Sequence, residues 1–171
     1  MQPRIPNITM LLPEVTQSLM ALGAAVKKET GVPSKTLGMV HLRASQINGC
    51  SVCVDMHARA LRNEGETDER LISISAWRDA PYFTDAERAA LALTEEGTRI
   101  ADKSEAVSDE IWREAARHYD DRALSVLTLH IGMINLWNRL NIITRQVAGE
   151  WLKSDAAKKW QQENAAALAA R

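Results

Sequence analysis

The chain has 171 residues, and 21 Lys and Arg stand against 22 Asp and Glu, for a formal net charge of −1. That balance argues against a dedicated nucleic-acid or anionic-membrane binder, which carries a basic excess. With 46% hydrophobic and 25% charged residues but only 8 Gly and 5 Pro, the composition points to one helical globular domain over residues 1–171 rather than to many short strands.

No segment approaches the roughly 20 consecutive apolar residues of a membrane span. The opening Met1-Gln2-Pro3-Arg4-Ile5-Pro6 lacks the apolar run of a secretory leader. A cytoplasmic, membrane-free protein is expected, in a compartment where structural disulfides are rare.

In chain order, Pro13 suits the first turn of a helix with Val15, Leu19, Leu22 and Val26 on its apolar side. Gly31 ends it, and Pro33 opens a second helix through Leu37, Val40 and Ile47, stopped by Asn48-Gly49. A third runs from about Cys50 to Asn63 with Gly65 as its C-terminal cap, and a fourth from Asp68 to Trp77, before Pro81. Thr84 and Glu87 form a capping box for a helix reaching Ile100. Ser108 caps a short helix through Trp112 to His118, and Asp120 or Asp121 caps a long one from Arg122 to Trp151. The alanine-rich tail, 155–171, reads as a final helix. No stretch alternates with a period of two, so the chain is all-α, with about seven or eight helices. The apolar stripes exceed what one small bundle covers, which suggests subunit contacts.

The chemistry concentrates around the two cysteines, Cys50 and Cys53. Gly49 breaks the preceding helix, so Cys50 falls at the start of the next, where free backbone N–H groups and the helix dipole favour a thiolate. Residues three apart on a helix have Cα atoms about 5 Å from each other, within disulfide range. His57 lies one turn beyond Cys53 on the same face, but about 10 Å along the axis from Cys50. This spacing selects Cys53 as the attacking nucleophile, Cys50 as the resolving thiol and His57 as the proton acceptor and donor. Three other readings stay open: an inert buried pair of thiols, a zinc site completed by His41, His118 or His130, and a static disulfide.

The residues Leu42-Arg43-Ala44-Ser45-Gln46-Ile47-Asn48-Gly49-Cys50, then Cys53 and Asp55-Met56-His57, resemble the alkylhydroperoxidase D family of the carboxymuconolactone decarboxylase superfamily. Trp77-Arg78, Pro81, Phe83-Thr84, Glu87-Arg88-Ala89-Ala90-Leu91 and Asn135-Leu136-Trp137-Asn138-Arg139 extend the likeness. The resemblance implies an all-helical fold, homotrimers or homohexamers, no cofactor, and reduction of alkyl or hydrogen peroxides by the cysteine pair. An external thiol, in known members borne by a lipoyl protein, then restores the dithiol. A non-catalytic redox sensor or a general disulfide oxidoreductase is the alternative use of the same pair.

Two positions depart from the family pattern. The glutamate expected twelve residues before the first cysteine is Gly38, and the residue between the cysteines is Val52 rather than a second histidine. Glu87 is the candidate replacement acid, though it also serves as the cap partner of Thr84. Gln46 is placed to hydrogen-bond near the site, and Trp77 with Arg78 to close part of the pocket. Asn135, Asn138 and Arg139 share a helix face with Asn141 nearby, suiting either a subunit interface or a solvated side. The charged runs Glu95-Glu96 and Lys158-Lys159 read as solvated faces.

Overall fold

The protein, as a computed structural model, is described over residues 2–6 and 11–153. It forms α1 (Pro13–Val26), α2 (Ser34–Asn48), α3 (Ser51–Asn63), α4 (Asp68–Ser73), α5 (Asp85–Thr98), α6 (Asp109–Ala116) and α7 (Asp121–Ile143). Short 3₁₀ turns lie at Ile74–Ala76 and Glu150–Lys153, and there is no strand among the described residues. No described helix is long and apolar enough to cross a membrane.

Side-chain caps set most of the helix starts. Thr67 accepts a hydrogen bond from the Arg70 N–H, Ser108 from Ile111 and Asp120 from Ala123. Thr84 and Glu87 complete the reciprocal capping box of α5. Each satisfies a backbone donor that the helix itself leaves free.

Helix α2 is the hub, packed against α3, α5 and α7. Its Val40 enters one apolar cluster with Leu93, Leu124, Leu127 and Ile131, while Met39 and Leu42 enter a second with Leu61, Ile74, Trp77 and Leu91. Gly38 permits the approach of α3. A Cβ there would lie 2.6 Å from Leu61 Cδ2, and Leu61 is itself buried. The space where an acid was expected is thus filled by an α3 leucine.

Several sequence expectations change. The long helix ends at Ile143 rather than Trp151, because Arg145 turns left-handed (φ 55°). The Gln146 N–H then reaches the Asn141 carbonyl and the Arg145 N–H the Ile142 carbonyl, closing the helix in a Schellman turn. The N-terminal segment helps to hold this end: the Arg4 N–H donates to the Thr144 carbonyl and Gln146 Nε2 to that of Ile5. The fourth helix is shorter than expected, passing into the 3₁₀ turn after Ser73. On α1 only Val26 is buried, while Val15 and Leu22 are exposed, so most of that apolar side is uncovered by the rest of the chain. The tail helix over 155–171 and the pair Lys158-Lys159 lie outside the described residues.

Candidate functional site

The site begins at the junction of α2 and α3. Gly49, with φ 71°, closes α2, its N–H bonding to the Gln46 carbonyl and that of Cys50 to Ser45. A left-handed residue suits glycine because it has no Cβ to clash. The break makes Cys50 the N-cap of α3, its carbonyl accepting from the Val54 N–H, and puts Cys53 in the first turn. Both cysteines are buried and joined in a disulfide with Cα atoms 5.3 Å apart. The expected short spacing is met.

A buried amide network holds this junction. Asn48 Nδ2 donates to Asn135 Oδ1 and Asn138 Oδ1, both at 2.9 Å. Asn138 Nδ2 donates to Ser45 Oγ, and Asn135 Nδ2 to Thr98 Oγ1 and the Ile131 carbonyl. Asn135 and Asn138 are therefore neither solvated nor free for a partner. They lock the end of α2 to α5 and α7, because a buried amide left unpaired would cost about 1–3 kcal/mol. Arg139 joins at the edge, donating to the Asn135 carbonyl.

Asn141, further along α7, donates through Nδ2 to Cys53 Sγ at 3.3 Å. Among the described residues it is the side-chain amide in contact with a site sulfur. Sequence reading placed it in a group of polar residues without linking it to Cys53. The only signal was a short amide on an otherwise apolar helix.

His57 lies on α3 one turn past Cys53. Its Nε2 is buried without a hydrogen-bond partner, and burial lowers its pKa to about 4. It is thus neutral at pH 7, with one ring nitrogen unprotonated, and burial disfavours its charged form. Among the described residues no hydrogen bond joins it to either sulfur in this oxidised form. Its ring instead meets His41 of α2 edge-on, with centroids 4.9 Å apart. His41 Nε2 in turn lies 2.9 Å from His130 Nδ1 of α7. Burial first, and then repulsion from His57 and His130, press His41 well below the usual imidazole value; burial also lowers His130. His118 stands apart on the chain after α6, bonded to Glu114. Among the described residues no three His, Cys, Asp or Glu side chains converge in an arrangement that could hold a metal ion.

Among the described residues Glu87 makes no hydrogen bond to the imidazole of His57. Its Oε2 accepts from the Thr84 backbone and hydroxyl, and its Oε1 from Arg70 at 2.6 Å. Burial pushes its pKa up, but the Arg70 and Thr84 donors outweigh this and hold it below the ordinary value. Gln46 accepts a long bond from Arg43.

Glu95 also departs from expectation. It is buried and receives hydrogen bonds from Arg43, Trp77 Nε1, Arg78 and Arg99. Burial alone would raise its pKa, but these donors lower it to about 2. Trp77 is buried, with the Arg78 guanidinium stacked 4.3 Å above its ring. This pair anchors the segment after the 3₁₀ turn to α5. Glu96 is half-buried and accepts the Ser108 N–H, so neither glutamate lies on a solvated face.

Comparison with known proteins agrees with the all-helical fold. Residues 13–96 match the carboxymuconolactone decarboxylase family. The uncharacterized protein YdfG of Bacillus subtilis is 37% identical over 115 residues, 67% of this chain and 77% of that protein. A crystal structure from Agrobacterium tumefaciens, of a protein of unknown function proposed as the antioxidant defence protein AhpD, superimposes with a TM-score of 0.80 at 33% identity. It spans 86% of this chain and 98% of that one. A debrominase holding tribromopyrrole shares the fold at a TM-score of 0.73 and 17% identity, across 91% of this chain and 79% of its own. With its helical hub, its CxxC at a helix start and these relatives, the chain belongs to the carboxymuconolactone decarboxylase family as an AhpD-like member.

Proposed function

We propose that the protein is a cysteine-pair thiol peroxidase that reduces alkyl or hydrogen peroxides and is regenerated by an external dithiol. The observation that carries this reading is the Cys50–Cys53 disulfide at the start of α3, with an amide donor aimed at Cys53 Sγ. A helix N-terminus and a hydrogen-bond donor both favour sulfur in its anionic form. Support also comes from the A. tumefaciens relative, whose proposed role is antioxidant defence.

In the proposed cycle the Cys53 thiolate attacks a peroxide oxygen, the O–O bond breaks, and the alkoxide leaves as alcohol after taking a proton from the site. Cys53 is then a sulfenic acid. The Cys50 thiol condenses with it, releasing water and forming the disulfide. A dithiol donor, such as a lipoyl-bearing protein, is oxidised to its own disulfide and returns both cysteines to thiols. His57 carries the Cys53 proton, while Glu87, engaged with Thr84 and Arg70, serves as helix cap and ion-pair partner. The uncovered apolar side of α1 supports a homo-oligomeric assembly.

The test is steady-state turnover of organic hydroperoxide with dihydrolipoamide as reductant, beside both single cysteine variants. Many equivalents should be consumed, Cys53→Ser should abolish consumption, and Cys50→Ser should leave a trappable sulfenic acid at Cys53. A single stoichiometric oxidation without turnover would instead favour a redox sensor, and exchange with protein disulfides without peroxide consumption would favour a general disulfide oxidoreductase.

A further inference from the structure

Three imidazoles from three helices form a row, His57 of α3, His41 of α2 and His130 of α7, with His57 one turn past Cys53 on its helix. The His41–His130 contact, 2.9 Å between ring nitrogens, is a hydrogen bond in which one nitrogen carries the proton and the other the lone pair. The edge contact of His41 with His57, at 4.9 Å between centroids, continues the row towards Cys53. At its two ends His57 Nε2 and His130 Nε2 are buried without hydrogen-bond partners. Native proteins seldom leave buried polar atoms unpaired, so two in one row call for a functional explanation.

The acidic groups on and around α3 and α5 each hold an arginine, although Asp55 Oδ2 and Glu66 Oε2 are, like the two histidine atoms, buried without a partner. Asp55 on α3 pairs with Arg59, Glu66 and Glu87 pair with Arg70, and Glu95 on α5 is held by Arg43, Arg78 and Arg99. Glu87 could have supplied protons, but it makes no hydrogen bond to the row.

We propose that His41 and His130 extend His57 into a three-imidazole relay that moves the proton Cys53 loses and regains during disulfide chemistry. The inference rests on the redox reading of the Cys50–Cys53 pair, and both histidines are positioning residues that act through His57. During reduction a thiolate of the donor dithiol attacks Cys50 Sγ and the Cys50–Cys53 bond breaks. Cys53 leaves with the electron pair and takes a proton from His57. The relay refills His57 with the proton released by the donor thiol, which crosses from His41 by rotation of the rings. The donor's second thiol then closes its own disulfide and frees Cys50 as a thiol, so both donor protons end on the two cysteines.

The test measures the rate at which dithiothreitol reduces the protein disulfide, from about pH 5 to 9, in wild type, His41→Gln and His130→Asn. General acid–base groups contribute about 10²–10⁴-fold, and breaking the row while keeping His57 should slow reduction at least tenfold at neutral pH. Added imidazole should restore the rate, and the pH profile of Cys53 alkylation in the reduced protein should stay unchanged. Rates within twofold of wild type in both variants, or a slowing that imidazole does not relieve, would overturn the relay. Histidine ¹⁵N spectra of the wild type give a reading independent of variant folding. A shared, slowly exchanging proton with fixed tautomers is expected for His41 and His130, and three independent titrations near the ordinary imidazole value would overturn the relay. A wild type that consumes no hydroperoxide yet gives the expected reduction profile would sink the peroxidase reading and leave the relay standing.

Discussion

Replacing Asn141 by leucine, of similar volume, removes the amide that donates to Cys53 Sγ at 3.3 Å. A hydrogen bond to a charged group contributes about 1.5–3 kcal/mol. The charge on sulfur is diffuse and the side chain only half-buried, so the lower part of that range applies, about 1.5–2 kcal/mol in favour of thiolate over thiol. At 1.36 kcal/mol per pKa unit, the Cys53 thiol should rise by about 1–1.5 units. The sign is upward, because the lost donor stabilises the anion. The assay is iodoacetamide alkylation of the reduced protein against pH in a Cys50→Ser background, where Cys53 alone reacts. Where the thiol is mostly protonated, alkylation at fixed pH should slow about tenfold. A shift below about 0.3 units would refute the idea that Asn141 activates Cys53, whatever the effect on turnover.

The remaining predictions concern stability and assembly. Glu95→Gln should lower Tm by roughly 4–8 °C at pH 7, taking about 2 kcal/mol for the broken cluster after discounting the half-exposed Arg78 and Arg99. The Glu95 carboxyl is depressed to about 2, so its stabilisation is complete above its ordinary value and lost as pH falls through about 2. The gap between wild type and variant should therefore close in acid, and thermal melts with the same gap at pH 7 and pH 2 would contradict the ion-pair account. Gly38→Ala should lower stability by about 1 kcal/mol, since overpacking against Leu61 exceeds the gain in helix propensity; a higher melting temperature would show that α3 yields easily. Leu22→Glu, on the uncovered side of α1, should reduce the mass measured by light scattering if that face joins subunits, and an unchanged mass would place any interface elsewhere.

Local signals were legible along the chain. The capping box at Thr84 and Glu87, the caps at Ser108 and Asp120, and the Asn48-Gly49 break were readable because each acts within one helical turn. The same locality made the CxxC spacing and the start of α3 readable. Arg145 was not legible as a helix stop, because a non-glycine residue turns left-handed there without a sequence signature, in a segment braced by residues 4 and 5 at the other end of the chain.

The sequence by itself determined the all-helical architecture and the spacing that lets Cys50 and Cys53 pair, since periodicity, capping and one-turn spacing are properties of neighbouring residues; the family was legible as a resemblance of the motif around the two cysteines. Only the tertiary structure decided the surroundings of that pair. Asn141 reaches Cys53 from 88 residues away, His130 meets His41 across 89, and Asn138 joins Ser45 across 93. Packing of α7 against α2 and α3 brings such residues together. It also buried Glu95, whose charge looked suited to water until three arginines converged on it, and it filled the space beside Gly38 with Leu61. The physical reason is that side-chain chemistry is written in the residue, whereas the neighbours that tune it are supplied by the fold.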